Sequence, residues 1–377
     1  MNAGPVMTLD EAELAALRDS IADVLKSECD SRKVHAWLDR KNDLGPALWR
    51  QAVELGWLGL SLPEADGGLG LGARGLQILS RELGAYAAPG GFIPTLCVAQ
   101  WLVTVADADQ RAALLGPVVV GEAGFAVPAI LEGAAVPALS GDGKTVSGKV
   151  DVLGCVAGSV ETVFAVVPLE AAWAVVRIDG VAARAEPIES WDLTRDLARL
   201  ECSDAPVVAV IADADGRAGA LLGSYLAVAL AADSLGGADA IAHKTVEYMK
   251  ERVQFDRAVA TFQALRHRAA DLIVRIATQE SLLEQAVQCL DNGSPDSAMW
   301  ARLAKAGASD AFVFVAADCI QLHGGVGHTW EYDPHIYIKR ARLNEALLGN
   351  NRALRDTAVR LLDGALGEGR TTTEIDW

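Results

Sequence analysis

Positive charge is scarce in this sequence. Fifty Asp and Glu stand against 33 Lys and Arg, a formal charge of −17 over 377 residues. Such a surface lacks the electrostatic footprint of a nucleic-acid binder and is repelled by anionic membrane surfaces. It leaves room for a local basic site facing an anionic cofactor. Cysteine is sparse as well: Cys29, Cys97, Cys155, Cys202, Cys289 and Cys319 form no C-x-x-C pair and have no histidine at metal-ligand spacing. That scatter predicts buried thiols in a reducing compartment, with neither a disulfide framework nor a metal site. No basic stretch followed by an apolar one opens the sequence, and the uncharged run between Arg217 and Asp233 is shorter than the roughly 18 apolar residues of a membrane span. A cytoplasmic protein with no nucleic-acid or membrane partner is expected. Low-complexity tracts and internal repeats are missing too. With 51% hydrophobic residues and ordinary glycine and proline usage, the chain can bury a substantial core by itself.

What is present falls into three textures. From Leu9 to about Ala113 the pattern is helical: Leu14, Leu17, Ile21, Val24 and Leu25 share one face, and Trp49, Val53 and Trp57 recur at helical steps. Gly45-Pro46 and the Pro63-Glu64-Ala65-Asp66-Gly67-Gly68 stretch predict turns. From about Gly121 to Asp204, short Val-rich runs (Val163 to Val167, Ala174 to Ile178, then Pro206 to Ile211) alternate with turn signals such as Gly141-Asp142-Gly143 and Asp179-Gly180. Strands so short and evenly spaced predict a small barrel or sandwich. Long helical patterns return at Leu221 to Val253, Phe262 to Leu290 and Ser297 to Leu322. The expected fold is α+β and multi-domain: an N-terminal helical domain (1–120), a middle β-barrel or sandwich domain (121–215) and a C-terminal four-helix bundle (216–377).

Two segments of the last third are more specific. The first runs Tyr248-Met249-Lys250-Glu251-Arg252-Val253-Gln254-Phe255-Asp256-Arg257 and resumes at Thr261-Phe262-Gln263-Ala264-Leu265-Arg266-His267-Arg268. The second is Gln321-Leu322-His323-Gly324-Gly325-Val326-Gly327-His328-Thr329. Glycines at the end of a helix carry no Cβ and tolerate positive φ, so a backbone can approach a bulky or anionic group there. Arg252 closes one long helix and Phe262-Gln263 open the next. A cation, an amide and a flat apolar surface suit a pyrophosphate joined to an adenine. Each element also reads more simply by itself: Arg252 as a charge at a helix C-terminus, Phe262 as core, the glycines as a turn.

Taken together, in this order and at this separation, the two segments resemble the acyl-CoA dehydrogenase family, and the helix, β, helix order resembles it along nearly the whole chain. The resemblance implies an FAD enzyme that oxidises the Cα–Cβ bond of an acyl-CoA thioester. A carboxylate takes the α-proton, the β-hydrogen leaves as hydride to the flavin, and electrons pass on to an electron-transfer flavoprotein. It further implies that Arg252, Phe255, Phe262, Gln263, Gln321, Gly324 and Gly325 grip the adenosine and diphosphate of FAD held mainly by a neighbouring subunit, so that the protein is an oligomer.

The other half of the family's site departs from the pattern. A Tyr-Glu-Gly-Thr segment, which usually supplies the base, corresponds to Leu347-Leu348-Gly349-Asn350, and the alternative acidic position falls on Leu226. Leucine removes no proton. Phe125-Ala126-Val127-Pro128-Ala129 stands in place of a Thr-Glu-Pro segment that touches the flavin, and Lys149-Val150-Asp151-Val152-Leu153 replaces an aromatic, hydroxyl-bearing one. Elements that reach a neighbour's site are kept while those that build the chain's own site are lost. That asymmetry implies a heteromer in which this chain completes the FAD site of a catalytically competent paralogue, an arrangement found among relatives acting on steroid side-chain thioesters. Two alternatives stay open: a homomeric acyl-CoA dehydrogenase with Asp233 or Glu345 as a non-standard base, and a flavin-free scaffold of the same fold. His323 and His328 lack ligand-spaced partners, so no metal is expected; a structural or cofactor-edge role is expected for His323, and domain packing for Trp191-Asp192-Leu193-Thr194-Arg195.

Overall fold

Helix boundaries in the N-terminal third follow local signals. In the computed structural model, which describes residues 6–131, 135–154, 160–371 and 374–375, Asp10 and Glu13 form a capping box that starts α1 (Glu11–Glu28). The Asp30 carboxylate caps α2 (Ser31–Leu38). The turn expected at Gly45-Pro46 is instead the first turn of α3 (Leu44–Glu54), where a proline's missing N–H costs nothing. After the loop around Gly67 come α4 (Gly72–Ala85), α5 (Phe92–Val105) and α6 (Ala108–Val119).

The middle of the chain is one sheet of β1 (Ala123–Pro128), β2 (Ala138–Leu139), β3 (Thr145–Gly154), β4 (Thr162–Pro168), β5 (Ala172–Ile178), β6 (Ala183–Pro187) and β7 (Leu197–Ala212), in the order β2-β3-β1-β4-β5-β7-β6. An additional β3–β7 pairing closes it into a barrel. The pairs are antiparallel except β1–β4. Closure depends on the length of β7, whose first half pairs with β3 and β6 and whose second half pairs with β5. Asp204, with φ +52, sits at the bend between the halves, where its backbone N–H and carboxylate both engage Ser147 Oγ. Small side chains such as Ala126, Val152, Ala165, Val176 and Leu200 fill the barrel. The opposite faces of β1, β4 and β5, with Phe125, Phe164 and Trp173, pack against helices in a second core. Burial on both faces is why these strands read as continuous apolar runs.

The last part consists of α7 (Arg217–Glu251), a hairpin of β8 (Val253–Gln254) and β9 (Arg257–Ala258), then α8 (Gln263–Asp291), α9 (Ser297–His323), α10 (Pro334–Ala346) and α11 (Asn351–Gly367). The first half of α7 is apolar enough, over a long enough stretch, to resemble a membrane span, contrary to the sequence expectation; most of that stretch is buried inside the chain. It forms the central helix of the core. Close approach to α4 uses glycine: a methyl group on Gly236 would lie 1.9 Å from the Arg81 carbonyl oxygen, and one on Gly84 would lie 2.1 Å from that of Asp233. Cys29, Cys97, Cys202, Cys289 and Cys319 are buried free thiols, and burial pushes the Cys29 thiol up to about 12. Cys155 lies outside the described residues.

Candidate functional site

Arg252 caps the C-terminus of α7, with its N–H on the Tyr248 carbonyl at 2.9 Å. The hairpin that follows turns on Phe255 and Asp256, both left-handed at φ +53 and +62. Two such residues match the twist of a tight hairpin, but a phenylalanine there is strained. At the tip of the hairpin, Phe255 projects outward, 86% exposed. Its ring meets Phe262 edge-on at 6.2 Å, and the Arg257 guanidinium covers Phe262 at 4.0 Å. Phe262 then leads directly into exposed Gln263, the first residue of α8. Arg252 and Arg257 have no carboxylate partner among the described residues, although the chain as a whole is strongly acidic.

The glycine segment ends α9. Gly324 adopts φ +66 and ψ −142, a conformation that requires glycine. A Cβ on Gly324 or Gly325 would meet nothing within 4 Å, whereas one on Gly327 would lie 2.5 Å from the Ile320 carbonyl oxygen. The first two glycines therefore leave an open surface beside exposed Gln321, and the third serves internal packing. His323 is buried and stacked on Tyr248, with ring centroids 4.3 Å apart. This contact ties the end of α9 to the end of α7 and brings the Arg252 and Gln321–Gly325 segments to one region. Burial holds the His323 imidazole below its ordinary pKa, and its Nδ1 lies 2.8 Å from the Cys319 carbonyl oxygen. A neutral ring donating to that carbonyl satisfies the site.

The positions where the resemblance places a base are occupied by packing. Leu226 on α7 and Leu348 after α10 are both buried. Leu348 is left-handed at φ +63, and its N–H donates to the Ala129 carbonyl at 2.8 Å, so the chain after α10 is bonded directly to the end of β1. Beneath this turn, Lys305 of α9, buried in an Ala-rich stretch, donates to the carbonyls of Glu345 (3.0 Å) and Gly349 (3.2 Å) and to Asn351 Oδ1 (3.3 Å). Burial pushes its amine down to about 8. Phe125, Val127, Leu153, Leu226 and Leu348 present buried apolar side chains, and Lys149 and Asp151 face away in cross-strand ion pairs with Glu201 and Arg199. None of these apolar side chains offers the fixed donors that a flavin ring's heteroatoms need.

Neither alternative carboxylate suits proton abstraction. Asp233 is 0% exposed and lies 2.5 Å from Arg340 Nη2 and 2.8 Å from Arg195 Nη2. Asn344 Nδ2 also donates to it at 2.7 Å. Burial pushes this carboxyl up, but the Arg195 and Arg340 guanidinia and the bonds from Arg340 and Asn344 hold it below the usual carboxylate range. It is an ion-paired anchor with little proton affinity. Glu345 turns to the surface and pairs with Arg342 at 2.9 Å. Asp192, Thr194 and Arg195 are buried around Asp233, while Trp191 is 84% exposed, so the packing role of that segment belongs to its last residues. Sequence reasoning missed Arg340, Asn344, Lys305 and Tyr248. For Arg340, Asn344 and Lys305 the one signal available was charge or amide on a helix; Tyr248 opened the quoted motif segment, with nothing local to mark its partner.

Comparison with known proteins agrees along most of the chain. The family profile described as the acyl-CoA dehydrogenase N-terminal domain matches residues 11–122, and the C-terminal domain profile matches residues 224–362. The acyl-CoA dehydrogenase IpdE2 of Mycobacterium tuberculosis is 32% identical over 90% of this chain and 94% of its own length. Among solved structures, a variant of the Tcur3481-Tcur3483 steroid ACAD superposes with a TM-score of 0.83 at 26% identity, covering 94% of this chain and 99% of that one. A chain of the ChsE4-ChsE5 complex from Mycobacterium tuberculosis gives 0.79 at 22% identity, covering 97% and 99%, and shows the shared fold.

Proposed function

Because the chain belongs to the acyl-CoA dehydrogenase family, whose members are FAD-dependent oxidoreductases, we propose that it is the accessory subunit of a heteromeric acyl-CoA dehydrogenase. In this reading it supplies FAD contacts to a paralogous subunit that carries the base. The observation that carries the proposal is the contrast between its two half-sites. In the arm, Arg252, Phe255, Gln263, Gln321, Gly324 and Gly325 are exposed and Phe262 is half-buried, while the positions expected to build the chain's own side carry buried apolar side chains, with the Leu348 N–H bonded to the Ala129 carbonyl. A guanidinium unpaired among the described residues, at the end of α7, suits a diphosphate, the exposed amides of Gln263 and Gln321 suit its ester oxygens and the base, and Phe255 offers a flat apolar surface. Bound there, FAD supplies the hydride-accepting ring for α,β-desaturation. This chain's contribution is to grip and orient the nucleotide end; removal of the α-proton falls to the partner's carboxylate. The steroid ACAD among the structural neighbours supports an acyl-CoA with a bulky, steroid-like acyl group, and electrons are expected to leave to an electron-transfer flavoprotein.

Co-expression with a paralogue that retains the glutamate tests the reading. Purified alone, the chain should be colourless and inactive; co-purified, it should form a complex with FAD equimolar to the heterodimer and desaturate acyl-CoA. A yellow, active homomer would overturn the proposal, and a colourless complex would favour a flavin-free scaffold. Leu348→Glu in the chain alone should gain no turnover and should lower stability, because it buries a carboxylate among apolar neighbours without opening a flavin site. Turnover by that variant would mean that the base alone was missing.

A further inference from the structure

We infer that Tyr248 and His323 are a positioning pair that sets the spacing between the two FAD-contacting arms. This rests on the accessory-subunit reading above. The Arg252 guanidinium and the Gln321 amide have no protein hydrogen bond among the described residues, so only the backbone on which each stands fixes its position. Arg252 stands on the last turn of α7 and Gln321 on the last turn of α9. Tyr248 lies one turn before Arg252 on α7. Its ring stacks on His323 at 4.3 Å with an interplanar angle of 15°. Its hydroxyl donates to the His323 carbonyl oxygen at 3.3 Å, the carbonyl immediately before Gly324. Carbonyls in the last turn of a helix have no partner within the helix, so this bond also terminates α9. Tyr332, from the segment beyond the glycines, meets both rings edge-on, at 6.1 Å from Tyr248 and 6.2 Å from His323. The His323 ring is held in turn by its Nδ1 contact with Cys319.

The three rings therefore brace a turn whose glycines would otherwise leave it conformationally free. Local misplacement of a binding group by about 1 Å is enough to cost on the order of 100-fold in function. Two separate helix ends that must touch one nucleotide together are exposed to that loss. The pair touches no reacting atom, and its effect is read through Arg252 and Gln321.

The test uses the complex of this chain with its glutamate-bearing paralogue, comparing Tyr248→Leu with Tyr248→Phe. Leucine keeps apolar volume but loses the stack, whereas phenylalanine keeps the stack and loses only the hydroxyl. Expected for Tyr248→Leu is FAD binding weakened about 10-fold or more, with kcat retained at saturating FAD. Tyr248→Phe should stay within about 3-fold of the unsubstituted complex, since a stacked ring contributes more to the brace than a 3.3 Å hydrogen bond. Thermal unfolding of the leucine variant should remain cooperative, which separates misplacement from loss of fold. Unchanged FAD affinity in Tyr248→Leu, or equal weakening in both variants, would overturn the pair's role while leaving the subunit reading intact. A substituted and an unsubstituted complex that both lack FAD would overturn the two together.

Discussion

Asp233→Ala is expected to destabilise the chain by about 3–5 kcal/mol, the cost of removing one member of a buried ion pair. The carboxylate stands between two guanidinia that are themselves almost fully buried. Arg340 spends Nε (3.1 Å) and Nη2 (2.5 Å) on Asp233 and Nη1 on the Ala88 carbonyl (3.1 Å) and Thr194 Oγ1 (2.7 Å). The cluster therefore joins α7, α10, the loop before β7 and the segment after α4. Without Asp233, two cations remain side by side in the interior, with Asp192 the nearby carboxylate left among the described residues. A loss of that size is a large fraction of the roughly 5–15 kcal/mol that separates folded from unfolded states, so much of the variant should be unfolded or insoluble. Equilibrium denaturation measures the difference. An Asp233→Ala chain with the denaturation midpoint of the parent would contradict the role assigned to the cluster.

The pH dependence has a definite sign. Asp233 is held below its ordinary pKa in the folded state, so its stabilising contribution is complete above the unfolded value of about 3.9 and is lost as pH falls through the folded value. The stability gap between the parent and Asp233→Asn should stay level from neutral pH down to about pH 5 and narrow only below the unfolded pKa. A catalytic base would behave differently, because it needs a pKa near the working pH.

Arg252→Ala should have the largest effect on cofactor binding while leaving the fold unchanged. Its guanidinium has no partner to lose among the described residues, and it is exposed. In the complex with the paralogue, removing a charge-assisted bond to a diphosphate costs about 1.5–3 kcal/mol, or roughly 10- to 100-fold in FAD affinity. Arg252→Lys should recover part of this, because an ammonium keeps the charge and loses the two-pronged fork. Raising the ionic strength should weaken FAD binding by the parent more than by Arg252→Ala. Equal FAD retention by both would place the diphosphate elsewhere.

Much of the molecule was legible before any coordinates. The helix, β, helix order follows from periodicities of a few residues; the helix starts at Asp10 and Asp30 rest on equally local bonds from side chain to backbone, although they were not read from the sequence. The segments proposed to face the cofactor were legible for the same reason. A helix-terminal arginine, a following aromatic and a Gly-Gly-x-Gly turn specify backbone conformation locally, and their chemistry needs no distant partner. A small barrel or sandwich was legible, but not which of the two, since closure depends on which strands β7 meets along its bend. Nor was the identity of Asp233. On the helix it shares a broad face with Leu226, and periodicity does not say whether solvent, a substrate or a cation lies opposite. The cations are Arg195 and Arg340, and Arg340 stands 107 residues further on. In the same way Tyr248 meets a carbonyl 75 residues away. Short-range sterics and hydrogen bonding wrote the elements and the outward-facing arm into the sequence. Tertiary packing alone decided which buried charge is balanced, which rings stack at the end of α9, and that Leu348 is buried and bonded to Ala129, because each is a pairing across distances that no local pattern encodes.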